Sequence, residues 1–251
     1  MTFLPTSLPD LIIPVLALLI AGTVKGTIGL GLPTTALGVM TLSTSPRQAI
    51  AYILIPMIVS NAWQVYRSGE VLQACKRYAP FILALVISVW LTVNLTIGVS
   101  EQFLLAVLGS SIVVFAIVSS TTWAPYIPDR LVTQAQIILG VAAGIMGGLT
   151  SVWAPPMAMY LTARHVDKTE FVRASGLLIF FGSLPLGASY VTQGLMQADE
   201  FVISTALLVP AFSGYALGEA FRNHVDQKTF RRIFLGIFLI MGLNMIRQAL
   251  F

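Results

Sequence analysis

Six apolar stretches of about 20 residues constrain this chain more than any motif, because a helix crossing the roughly 30 Å core of a bilayer needs about that length at 1.5 Å per residue. They run over residues 47–66, 78–98, 102–120, 170–192, 201–221 and 230–250, with short polar loops between them. Composition agrees. With 57% hydrophobic and 10% charged residues, the chain has too little polar surface to cover a soluble fold. We expect an all-α polytopic membrane protein whose first partner is the lipid bilayer. The net charge of +4 is spread singly and in twos between apolar runs, so it does not form the stripe that binds nucleic acid. Residues 1–9 carry no Lys or Arg, so residues 11–24 are expected to belong to the mature chain rather than to a cleaved signal.

Two further apolar stretches, 11–40 and 132–161, have an awkward length: about 45 Å as one helix, too long for one upright span and too short for two. Each is interrupted by glycines followed by proline, Gly22, Gly26, Gly29, Gly31 and Pro33 in the first, and Gly144, Gly147, Gly148, Pro155 and Pro156 in the second. The pattern predicts two hairpins broken near their middles. Setting Pro33 on Pro155, an offset of 122 residues (155 − 33), also sets Gly22 on Gly144, Gly26 on Gly148 and Ala36 on Ala158. We therefore expect a duplication within a single membrane domain. Residues 1–125 form the first repeat, with its hairpin at 8–43, and residues 126–251 the second, with its hairpin at 131–163; each hairpin precedes three spans.

Basic residues favour cytoplasmic loops. Arg67, Lys76, Arg77, Arg130, Arg164, Lys168, Arg173, Arg222, Lys228, Arg231 and Arg232 fall on one side of a consistent threading, while the loops around Glu101 and Asp199-Glu200 lack Lys and Arg. Arg47 and Arg247 are exceptions. With one returning hairpin and three crossings per half, the second half must be inverted, and both termini lie outside. A prokaryotic cytoplasmic (inner) membrane is the expected location.

A helix that starts within a membrane presents unpaired N–H groups and a partial positive charge, so opposed broken hairpins suit an anion. Pro33 and Pro155 can open the second arms, Gly29, Gly31, Gly147 and Gly148 let backbone approach a ligand, and Thr27, Thr34, Thr150 and Ser151 offer hydroxyls. Lys25 and the adjacent Gly26 lie about 21 Å along the first stretch. An ammonium at that depth costs at least roughly 2.5–3.5 kcal/mol, which a bound anion would offset; a carboxylate partner or a shallower position is the alternative. Small residues also serve close helix packing, the competing reading of each glycine. Trp153 lies within the second break and is a candidate pocket wall, whereas Trp63, Trp90 and Trp123 suit interfacial positions. Asn61, Gln64, Arg173 and Ser183 are candidate pathway residues, with interhelical bonding, or anchoring for Arg173, as their alternative roles. Asp10, Glu170 and Glu219 are expected near helix ends, in solvated or interfacial roles.

No histidine falls in a predicted span, since His165 and His224 lie in loops, so the nucleophile-and-base pair of an intramembrane enzyme is not expected. The single cysteine, Cys75, permits no internal disulfide and no metal set, so no metal or cofactor is expected. The predicted partner is a small anionic substrate, with no nucleic acid and with homo-oligomerisation left open. An anion channel and a carrier of small carboxylates are the alternatives.

At Ala21 to Gly38, AGTVKGTIGLGLPTTALG, and at its weaker copy Ala142 to Met159, AAGIMGGLTSVWAPPMAM, the chain resembles the sulfite exporter TauE/SafE family, also called the toluene sulfonate uptake permeases. Leu30 separates Gly29 from Gly31 where many members run glycines together, and Ser151-Val152-Trp153 precedes the second prolines. The resemblance implies transport of sulfite, thiosulfate, sulfonates or related sulfur oxyanions. Sulfur is implied by the resemblance alone; the anion follows from spacing and charge.

Overall fold

The computed structural model describes residues 8–120, 126–221 and 227–250, and all its regular elements there are helical. Trp123, Arg222 and His224 lie outside the described residues, as do the side chains of Asp10, Lys228, Arg231 and Arg232. Twelve α-helices are described. They are α1 (Leu8–Ile28), α2 (Leu32–Met40), α3 (Pro46–Ser68), α4 (Val71–Arg77), α5 (Ala79–Leu95), α6 (Glu101–Ser120), α7 (Val132–Thr150), α8 (Ala154–Ala163), α9 (Lys168–Thr192), α10 (Ala198–Ala206), α11 (Leu208–Phe221) and α12 (Gln227–Leu250). Among the described residues, five segments are long and apolar enough to cross a membrane, or six if the bent pair α4–α5 is one span. The protein is an all-helical integral membrane protein.

Local chemistry sets several boundaries. Ser45 and Asp167 cap α3 and α9 by accepting from the Gln48 and Glu170 amides, and Pro46 occupies the first turn of α3, where its missing N–H costs nothing. Gly69 and Gly194 follow α3 and α9 with φ of 65° and 68°, positive values that glycine adopts freely. Two of the expected spans carry local irregularities. Residues 78–98 begin at a 76° bend between α4 and α5, beside Pro80, and residues 201–221 are interrupted at Leu207, between α10 and α11 and before Pro210.

Close packing joins α1 to α11, α5 to α7, α6 to α12 and α3 to α9. The first two pairs run on glycine. A Cβ on Gly22 or Gly26 would overlap the carbonyl of Ala211 or Tyr215, and one on Gly214 or Gly218 would overlap that of Leu19 or Thr23. Across the molecule, Gly140, Gly144 and Gly148 lie against Phe81, Leu85, Ser88 and Thr92 of α5. With little hydrophobic drive between helices in lipid, such backbone approach supplies the van der Waals contact that holds them.

The breaks do not fall mid-stretch. α1 is 21 residues long before it ends at Gly29–Gly31, and α7 is 19 residues long before it ends at Ser151–Trp153, whereas α2 and α8 have only nine and ten residues. Each hairpin is a full-length arm with a short returning arm. Gly22, Gly26, Gly144, Gly147 and Gly148 all lie within the long helices, where packing rather than chain reversal requires them.

Candidate anion site at the helix breaks

The first break turns on two glycines with positive φ, Gly29 at 89° and Gly31 at 98°, which a side chain would strain. α2 then opens at Leu32-Pro33, and its ladder starts with Thr35 N donating to Gly31 O at 2.9 Å. The first-turn amides of Leu32 and Thr34 precede that ladder and have no intrahelical acceptor. Thr34 and Thr35 are buried, and Thr35 Oγ1 has no partner among the described residues.

Lys25 lies one turn before this break and is 2% exposed. Its Nζ donates to Asn61 Oδ1 at 2.5 Å, and Asn61 Nδ2 donates in turn to Met57 O at 2.7 Å. Among the described residues no carboxylate pairs with it. A neutral amide therefore fills one of three donor positions that a protonated Lys25 would have, and the described residues supply no acidic partner to that buried amine.

The second break is built differently. Ser151 holds a φ of 58° without being glycine, while its amide donates to Gly147 O at 2.7 Å. Such a conformation at a non-glycine residue costs of order 1 kcal/mol and marks a place to look for function. Thr150 Oγ1 donates to Met146 O at 2.7 Å and accepts from Val152 N at 3.2 Å, so it braces the turn. Ser151 Oγ and Trp153 Nε1 are buried with no partner among the described residues. Buried polar atoms in folded proteins are nearly always satisfied, so three unpartnered donors at two breaks are informative.

Other sequence candidates make contacts between or within helices. Gly26 and Thr27 lie in the α1–α11 interface, where Thr27 Oγ1 donates to Thr23 O at 2.8 Å and to Gly218 O at 3.3 Å, and Gly148 rests against Thr92. Gln64 Nε2 donates to Val172 O at 2.7 Å, joining α3 to α9, and Ser183 Oγ donates back to Phe180 O at 2.7 Å. Arg173 is engaged rather than free. Its Nη1 meets Glu70 at 2.7 Å and Glu170 at 2.8 Å, and its Nη2 donates to Ser68 O at 3.2 Å.

Glu170 corrects the expectation of a solvated helix-end carboxylate, because it is only 7% exposed in its side chain. It accepts from Arg77 at 2.9 Å, Tyr78 at 2.7 Å and Arg173 at 2.8 Å. Only Arg173 lies near Glu170 in sequence, three residues on; Arg77 and Tyr78 reach it from 93 and 92 residues away, which no sequence spacing marked. Together with Arg67–Glu219 at 2.7 Å, the Glu170 cluster includes ion pairs that join residues 1–125 to 126–251, near the C-terminal end of α3 and the N-terminal end of α9. The opposite end carries neutral cross-links between those segments, Gln193 to Asn94 at 2.5 Å and Ser204 to Tyr52 O at 2.9 Å; its ion pair, Arg47–Glu101, lies within residues 1–125.

No curated protein and no solved structure matches the chain. A family model described as Sulfite exporter TauE/SafE matches residues 14–245, which include both breaks and every buried polar group described above. The chain belongs to the TauE/SafE family, and so to membrane transporters of sulfur-related anions.

Proposed function

We propose that the protein is a secondary transporter for a small sulfur oxyanion or organosulfonate, such as sulfite, thiosulfate or a sulfonate, held between the two broken hairpins and carried by alternating access. The uncompensated Lys25 ammonium carries this reading, because an anion restores the neutrality that Asn61 cannot supply. The Leu32 and Thr34 amides and the Thr35 hydroxyl lie on the same hairpin as further donors.

An inverted duplication supports the alternation. Exchanging the two halves turns the α1–α11 contact into α7–α5 and leaves the α3–α9 and α6–α12 pairs unchanged. Gly69 and Gly194, at the ends of corresponding helices, share a positive φ. On the basic-loop threading, the end with the inter-half ion pairs faces the cytoplasm, so this conformation is latched on that side, and both termini face outside a prokaryotic cytoplasmic membrane.

Reconstitution tests the reading. Lys25→Met is expected to insert and fold while losing saturable sulfite uptake into proteoliposomes; uptake at the wild-type rate in that variant would overturn it. Non-saturating flux in the wild-type protein would identify a channel instead, and competition by a small carboxylate but by no sulfur oxyanion would reassign the substrate.

A further inference from the structure

The 122-residue offset that sets Pro33 on Pro155 also sets Gly29 on Ser151, Gly31 on Trp153 and Lys25 on Gly147. The backbone respects the first pairing, since Gly29 and Ser151 both have positive φ. The side chains have been rearranged. Where the first hairpin has Lys25, the second has a glycine, and a Cβ built on Gly147 would overlap the Trp153 indole, with Nε1 the nearest atom. The indole nitrogen thus lies where a side chain at the Lys25-equivalent position would begin. It is seated there by a second missing side chain, for a Cβ on Gly182 of α9 would come within 2.9 Å of the same Nε1.

The second hairpin needs a side-chain donor more than the first. α8 begins Ala154-Pro155-Pro156, and proline has no N–H, so two of its first-turn donors are missing while α2 keeps those of Leu32 and Thr34. Trp153 Nε1 can only donate, its residue is 1% exposed, and it has no acceptor among the described residues. Ser151 Oγ, two residues away, is equally buried and unpartnered.

Lys25 and Trp153 also lie at similar depth. α3 and α9 are in register with Gln64 beside Gly176 and with Leu54 and Ile58 beside Gly187. Asn61, the Lys25 acceptor, falls between those contacts and is level with the turn of α9 that contains Gly182, within about 5 Å along the axis.

We infer that Trp153 is a specificity-determining residue of the anion site: its indole N–H is the second hairpin's counterpart of the Lys25 ammonium, and the two donate to separate oxygens of one oxyanion. This rests on the anion-transport reading above. It narrows the ligand class to oxyanions that present acceptor oxygens on two sides.

Trp153→Phe keeps an aromatic ring over Gly147 and Gly182 and removes the N–H. Sulfite binding to purified protein, measured by calorimetry, is expected to weaken about ten- to a hundredfold, as loss of a hydrogen bond to a charged group does. Wild-type sulfite affinity in Trp153→Phe would overturn the assignment while leaving the transport reading intact; a wild-type protein that binds no oxyanion would remove both. A second measurement does not depend on that variant folding. In protein labelled with 15N at the indoles, with signals assigned through Trp63→Phe, Trp90→Phe and Trp123→Phe, sulfite is expected to move the Trp153 N–H resonance downfield. A resonance that stays in place at saturating sulfite would overturn the proposal.

Discussion

Asn61 accepts from Lys25 at 2.5 Å while its own amide is held by Met57 O one turn earlier, so the acceptor that the described residues give the buried Lys25 amine is itself anchored. Removing either member strands the other. Asn61→Leu is expected to destabilise the protein by about 1.5–3 kcal/mol, the range for a hydrogen bond to a charged group, whereas Lys25→Met/Asn61→Leu should cost less than the two single changes together. Equilibrium unfolding in detergent measures the cycle. Effects that add to within about 0.5 kcal/mol would show that the pair is not energetically coupled.

Glu170 and Glu219 both bind arginine, but burial separates them. Glu170 is 7% exposed and serves Arg77, Arg173 and Tyr78, whereas Glu219 is 34% exposed and serves an Arg67 that is half in solvent. Glu170→Ala should cost roughly 3–5 kcal/mol, as when one partner of a buried pair is removed, and Arg67→Ala less than about 1 kcal/mol. Equal losses in melting experiments would contradict the ranking.

Ser151 sets stability against function. Glycine relieves the positive φ at that position, so Ser151→Gly should raise stability by up to about 1 kcal/mol, yet it removes an unpartnered donor from the second break. We predict a more stable protein with weaker sulfite binding. A variant that loses stability would mean that the hydroxyl helps to hold the turn.

Two helical glycines should respond in opposite senses. A methyl at Gly218 would overlap Thr23 O, so Gly218→Ala should force α11 away from α1 and lower stability by about 1–3 kcal/mol. Gly236 of α12 has nothing within 4 Å of its Cβ position, and Gly236→Ala should stabilise by up to about 1 kcal/mol through helix propensity. Melting temperatures of the two variants check the contrast.

Membrane class and most helices were legible from apolar run length, which the physics of a bilayer ties closely to structure. The openings of the second arms were legible at Pro33 and Pro155, but Gly22, Gly26, Gly144 and Gly148 also read as chain-reversal signals while their role is helix contact. Close approach to a distant segment leaves no local mark. The burial of Lys25 followed from its depth in a hydrophobic run; its acceptor, Asn61, did not, since the two lie 36 residues apart. Glu170 was misread for the same reason: Arg77 and Tyr78 reach it from more than 90 residues away.

The glycine contacts also determine which parts can shift together. α1 is locked to α11 and α7 to α5 by backbone-to-backbone approach, and each pair takes one helix from either half of the sequence. Any rearrangement that keeps these contacts must carry α1 with α11 and α7 with α5. The mechanical units are therefore chimeras of the two halves, and a cut between residues 125 and 126 would pass through both of them.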